Sequence, residues 1–192
     1  MKSQRRSTRK SNVDEGLAAA DPSFAVEDDA PLTPARQREL ARNMVLRKLT
    51  RAPQTRQQLA DHLHERGVPA DISADVLDRM SDVGLINDVE YAAMFVRSKR
   101  NTRGLAPRVL AQELRQRGIN DTIIASELAA ISPEDDRELA RGLVQKKLGS
   151  MARFDRDTRV RRLTSMLIRK GFSTGLAFDV VREVLGATDS DE

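Results

Sequence analysis

One pattern occurs three times in this chain of 192 residues and constrains its fold more than anything else in it. Leu-x-x-x-Leu-x-x-x-Gly, followed by an apolar residue, appears as Leu59/Leu63/Gly67-Val68, as Leu110/Leu114/Gly118-Ile119 and as Leu163/Leu167/Gly171-Phe172. Upstream of each lies a second shared fragment: Ala41/Met44/Val45/Lys48, then Ala92/Phe95/Val96/Lys99, then Ala140/Leu143/Val144/Lys147. The first two copies are 51 residues apart in both fragments. The third lies 48 residues on in the upstream fragment and 53 in the downstream one, a gain of five residues between them. A period near 50 residues predicts a tandem array of helical units, which presents a long surface rather than an enclosed catalytic pocket.

Local signals place the helices. Thr33-Pro34 reads as the cap and first residue of the first helix, and within 35–51 Leu40, Met44, Val45 and Leu49 fall on one face. Pro53 breaks it, and Thr55-x-x-Gln58 is a capping box that opens the next helix. Gly67 supplies the left-handed residue that ends this helix, with Val68 folding back. A third helix turns Ile72, Val76, Leu77 and Met80 inward and stops at Gly84. The second unit opens at Asn87-x-x-Glu90 with Tyr91, Ala92, Phe95 and Val96 inward, turns at Gly104 and Pro107, and starts its last helix at Asn120. The third opens at Ser132-Pro133-Glu134-Asp135. Ser173 caps its last helix, which turns Leu176, Val180, Val181 and Val184 inward. No segment alternates with period two. The expected fold is all-α, an elongated array of three three-helix repeats with about nine helices, over 35–84, 85–131 and 132–187. Helices about 10 Å across give a curved rod roughly 40–60 Å long. Residues 1–34 are expected to be a disordered tail, and 188–192 a second one.

Charge is segregated along the chain. Lys2–Lys10 holds five cations and no acid, whereas 13–34 holds six acids and no base. Residues 61–96 carry eight acids against two bases, 97–118 carry seven bases against one acid, and 141–170 ten against two. Such a surface can meet a polyanion in one zone and a protein in another, although solvated helix faces are the plainer reading of any one block. With no cysteine, disulfides and thiol catalysis are excluded. No apolar run approaches the 18 or so residues of a membrane span, so no membrane contact is expected and the cytoplasm is the expected location.

Catalytic chemistry finds no support. His62 and His64 are two apart on a helix and point to different faces, so they do not form a metal pair. Glu134, Asp135, Asp136 and Glu138 sit in the first turns of a helix, whose dipole accounts for them without a metal. Phosphate-loop, nucleophile-elbow and dinucleotide patterns are absent. Neither an enzyme nor a resident cofactor or metal is expected. The candidate surface is basic. Arg97, Arg100 and, less squarely, Arg103 share a helix flank, and Lys99 holds the position that Lys48 and Lys147 hold in the other copies. Arg115 and Arg117 flank the next helix end, and Arg159, Arg161, Arg162, Arg169 and Lys170 form a second patch. These side chains could contact phosphate in a salt-sensitive way. Only six aromatic residues occur, mostly at inward positions, so base stacking is a poor prospect and any binding should be weakly selective.

The stretch Gly84-Leu-Ile-Asn-Asp88-Val-Glu-Tyr-Ala92-Ala-Met-Phe95-Val-Arg97-Ser-Lys-Arg100-Asn-Thr-Arg103-Gly104 resembles the central signature of the RecX family. Leu110-x-x-x-Leu114-x-x-x-Gly118-Ile119 continues it at the family's spacing, and the resemblance covers about residues 36–186. It implies a tandem of three-helix repeats that regulates the RecA recombinase. Such a protein lies along the groove of the RecA–DNA filament, blocks strand exchange and ATP hydrolysis, and promotes filament loss. The implied partners are the filament and single- or double-stranded DNA, bound weakly and without sequence preference, by a monomer. The turn Ala52-Pro53-Gln54 is less basic than the family's, and with the acidic 61–96 block it turns the first unit toward protein rather than DNA.

Two other readings stay open on the residues alone. A direct nucleic-acid-binding repeat protein, such as a transcription regulator, would read each unit as a helix-turn-helix. The third helices, however, carry Asp71, Asp75, Asp78, Asp121 and Glu127, which disfavours groove insertion. A scaffold for some other protein would show no dependence on DNA at all.

Overall fold

The computed structural model describes residues 33–189. The basic stretch Lys2–Lys10, the acidic stretch up to residue 32 and residues 190–192 lie outside them. The described residues form nine α-helices: α1 (Pro34–Leu49), α2 (Arg56–Glu65), α3 (Ala70–Asp82), α4 (Asp88–Arg103), α5 (Pro107–Arg115), α6 (Asp121–Ala129), α7 (Pro133–Leu148), α8 (Arg156–Arg169) and α9 (Thr174–Asp189). None of the described residues is in a strand.

Short-range chemistry sets the helix starts. The Thr33 side chain accepts the Arg36 N–H, and Thr55 with Gln58 forms the reciprocal box. Asn87 accepts from Val89 and Glu90, and Asn120 accepts from Thr122. Ser132 and Asp135 close a second reciprocal box, and Ser173 accepts the Leu176 N–H at 3.3 Å. Asp155, which the sequence pattern does not single out, caps α8 through the Thr158 N–H. At the other end of each middle helix the N–H of Val68, Ile119 or Phe172 donates back to the carbonyl of Leu63, Leu114 or Leu167. That six-to-one bond folds an apolar residue over the last turn, and all three are buried.

The helices pack in threes. Contacts join α1, α2 and α3 to one another, likewise α4, α5 and α6, and likewise α7, α8 and α9, with the third helix of each unit packed most broadly on the first two. At each centre sits the repeated leucine pair: Leu59 and Leu63, Leu110 and Leu114, Leu163 and Leu167, all almost fully buried. Each such side chain contributes roughly 1.5–3 kcal/mol of transfer free energy. The residues gained in the third copy lie between Lys147 and Leu163, shared by the link from α7 to α8 and by the longer α8, which has 14 residues against 10 in α2 and 9 in α5. There Gly149–Met151 makes a 3-10 turn that buries Met151 in the third core, with Phe154 packed beside it.

The third unit also holds three carboxylates whose pKa lies below the usual range. The Ser132 hydroxyl and N–H lower Asp135, the Thr158 N–H lowers Asp155, and hydrogen bonds from Arg141 and Arg137 lower Glu183. A depressed folded pKa gives stability that is present above the unfolded value and is lost as pH falls through the folded one. Acidification below the ordinary carboxylate range is therefore expected to loosen the starts of α7 and α8 and the α7–α9 contact. Amide exchange followed along an acid titration would report it. Uniform loss of protection over all three units would contradict the expectation.

Candidate nucleic-acid interface

The three units meet at two seams built on the same plan. At the first, the Thr55 hydroxyl donates to the Arg117 carbonyl at 2.6 Å, and the Arg56 N–H donates to Asp88 Oδ1 at 2.9 Å. At the second, the Ala106 N–H donates to the Lys170 carbonyl at 2.9 Å. Thr55 and Ala106 are the residues capping α2 and α5, and Arg117 and Lys170 each precede the glycine that ends the next unit's middle helix. The start of one unit's middle helix thus docks on the end of the next.

The second seam carries more charge. Arg100 Nη1 on α4 lies 2.6 Å from Asp136 Oδ1 on α7, with the two side chains only 15% and 17% exposed. The Lys170 ammonium reaches back across the seam and donates to the Arg103 carbonyl. Burial, and then the nearby Arg103 guanidinium, push the Lys170 pKa below a lysine's ordinary value. Arg103 itself pairs with Glu113 on α5 at 2.9 Å.

Beside these contacts opens a hollow of about 720 Å³, walled by the end of α4 and the following turn on one side and by α7 and α8 on the other. Six of its lining residues are cationic (Arg100, Arg103, Lys146, Lys147, Arg169 and Lys170) and none carries a carboxylate. An adjoining hollow of about 600 Å³ shares Arg100 and Lys146 and is also lined by Asp135 and Glu138. Residues at the C-terminal ends of α4, α7 and α8 line the larger hollow, and cations there also complement the helix dipoles, each worth roughly half a negative charge. Even against those ends and the carboxylates on Arg100 and Arg103, the hollow keeps a positive balance.

The basic residues expected to act together divide into several sites. Arg100, Arg103, Arg169 and Lys170 gather in the hollow, with Arg100 and Lys170 also serving as seam contacts. Arg97 leaves their company and lines a groove of about 420 Å³ at the first seam. Lys99 and Arg117 both lie over the same aromatic ring, 5.3 Å and 4.4 Å from the Phe95 ring centre. Arg117 also donates to the Glu113 carbonyl at 2.6 Å, and Arg115 pairs with Asp121 at 2.6 Å. Arg161 and Arg162 are exposed on α8, where Arg162 stacks 4.0 Å from the Phe154 ring centre. Lys146 and Lys147 belong to the hollow but were not among the expected residues. The sequence signals for them were the basic block 141–170 and, for Lys147, the repeated lysine position, which the dipole of α7 accounted for without a ligand.

The groove at the first seam has a different character. Leu49, Pro53, Leu85, Tyr91 and Met94 line it, together with Glu90 and Arg97. Leu85 and Met94 are 50% and 37% exposed, unusual for large apolar side chains here. Leu49 is the first unit's counterpart of Arg100, so the same place is apolar at one seam and cationic at the next.

Among the described residues no helix is long and apolar enough to cross a membrane. Family models for the first, second and third three-helix domains of RecX match residues 41–80, 87–128 and 134–181. The chain is 43% identical over 173 residues to the regulatory protein RecX of Streptomyces lividans, covering 90% of each. It is 44% identical over 147 residues to that of Thermobifida fusca, covering 77% of this chain and 80% of the relative. The crystal structure of RecX from Lactobacillus salivarius superposes with a TM-score of 0.71 at 25% identity, covering 78% of this chain and 97% of that one. The same three repeats, in the same order and over most of both chains, make this protein a member of the RecX family of regulatory proteins.

Proposed function

We propose that this protein regulates RecA by binding the RecA–DNA filament and inhibiting strand exchange and ATP hydrolysis, without chemistry of its own. The observation that carries the reading is the cationic hollow shared by two successive repeats. A carboxylate-free wall of lysine and arginine suits the phosphates of a DNA strand already coated by protein. The hollow has no aromatic residue in its lining, so contact there would follow the backbone and not the base sequence. The first seam is assigned to protein contact: its groove joins Leu49 and Pro53 of the first unit to the exposed Leu85 and Met94 of the second, and residues 61–96 carry eight acids against two bases. A monomer in the cytoplasm can then touch DNA and recombinase together, and modest contacts sum through effective concentration.

Titrating the protein into a single-strand-dependent ATP hydrolysis assay of the recombinase tests the reading. Inhibition is expected at amounts below one per recombinase monomer, because one molecule spans several subunits. No inhibition at equimolar protein would end it. Gel shifts at two salt concentrations separate the alternative: tight, sequence-selective duplex binding by the protein alone would favour a direct transcription regulator.

A further inference from the structure

The geometry points to the hollow at the second seam as a clamp for a run of phosphate groups, such as a nucleic-acid strand presents, whose occupancy locks the second and third units together. This rests on the reading that the protein meets a nucleic acid, and adds a site and a mechanical consequence.

Three observations converge. First, the walls come from two units. Arg100 and Arg103 belong to α4, whereas Lys146, Lys147, Arg169 and Lys170 belong to α7 and the end of α8. An anion held between the two walls bridges the units. Second, the seam is thin. The main helix-on-helix contacts fall within units, and the second meets the third through the Ala106–Lys170 bond, Ala106 buried in the third core, the Arg100–Asp136 pair with a weaker bond from Arg100 to the Asp135 carbonyl, the Lys170 ammonium on the Arg103 carbonyl, and close approaches at Gly104 and Gly171. Such a joint opens at a lower free energy than a unit unfolds. Third, free cations gather on one wall. Lys146, Lys147 and Arg169 enter no ion pair among the described residues, and Lys170 is crowded by burial and by Arg103 across the seam. Arg100 and Arg103 opposite are already paired, with Asp136 and Glu113. Phosphates between the walls meet the unpaired cations and turn the Arg103–Lys170 repulsion into attraction on both sides.

The ligand class follows from the lining. The hollow is far larger than a single phosphate ion, at about 720 Å³. No aromatic residue and no carboxylate is present to hold a base or a sugar hydroxyl edge. The first seam lacks the feature. There the counterpart of Arg100 is Leu49, and the groove is lined by Leu85, Tyr91 and Met94. One joint is thus expected to respond to polyanions and the other not.

Amide hydrogen exchange of the full chain tests this with a built-in reference. The Ala106 N–H reports the second seam and the Arg56 N–H, bonded to Asp88, reports the first. The probes are an oligo-deoxythymidylate and, separately, tripolyphosphate, each also followed by a direct binding measurement. If only the closed seam binds, a probe at tenfold its Kd slows Ala106 exchange about tenfold, and Arg56 exchange is unchanged. Lys146→Glu with Lys147→Glu, both exposed positions, is expected to abolish binding and the slowing together. Oligonucleotide binding with unchanged Ala106 exchange overturns the clamp, as does failure of both probes to bind. Binding of tripolyphosphate alone overturns the nucleic-acid assignment. Recombinase inhibition is read independently: inhibition without Ala106 protection removes the clamp and leaves the regulatory reading standing, and protection without inhibition does the reverse.

Discussion

Alanine at Gly118 or Gly171 is expected to destabilise the protein by about 2–4 kcal/mol, against about 1 kcal/mol at Gly67. All three glycines end a middle helix with positive φ, at 76°, 97° and 74° respectively, so any L-residue there meets the same backbone strain. Their surroundings differ. A Cβ on Gly171 would lie 2.8 Å from Val109 Cγ2 and 3.1 Å from the Val109 backbone nitrogen. On Gly118 it would lie 2.2 Å from Cβ of Gln57, and on Gly67 it would meet nothing within 4 Å. The extra loss is the cost of pushing neighbouring units apart, and Gly67 escapes it because no unit docks on that turn among the described residues. Urea unfolding of the three variants measures this as a lowered midpoint at constant slope. Equal losses at all three positions would show that the seams do not depend on these close approaches.

Asp136→Ala is expected to cost about 2–3 kcal/mol, because it strands the half-enclosed Arg100 guanidinium without its carboxylate. The pair is short, at 2.6 Å, and neither side chain is more than 17% exposed, so water cannot replace the lost partner freely. The weaker contact of Arg100 Nη2 with the Asp135 carbonyl, at 3.4 Å, does not substitute for it. Replacing both partners by leucine should recover much of the loss, since removing a whole ion pair costs far less than breaking one; the first seam already carries leucine at the position of Arg100. Denaturation of the single and double variants gives the coupling directly. A single variant that loses less than about 0.5 kcal/mol would mean the pair behaves as an ordinary surface contact.

The secondary structure was legible because its determinants are local. Thr33, Thr55, Asn87, Asn120, Ser132 and Ser173 each satisfy amides within three residues, so their identities and spacing mark where helices begin. The triplication was legible for the same reason: a leucine pair followed by glycine is one helix face and its stop. The 3-10 turn at Gly149–Met151 was visible only as a change of spacing, since nothing in Gly-Ser-Met fixes that conformation without the core that Met151 enters.

The fate of the basic residues was not legible. Arg97, Arg100 and Arg103 follow one another at helical spacing, yet the first belongs to one seam and the other two to the next. Arg100 finds its carboxylate 36 residues further on, and Lys170 finds its carbonyl 67 residues back. Sequence by itself determined the all-α array of three-helix repeats, most of its helix starts and its inward faces, because those follow from hydrogen bonds and apolar periodicity over a few residues. Only the tertiary structure decided which cations are tied up and which line a common hollow. That depends on how one unit docks on the next, through contacts between residues that no local pattern connects.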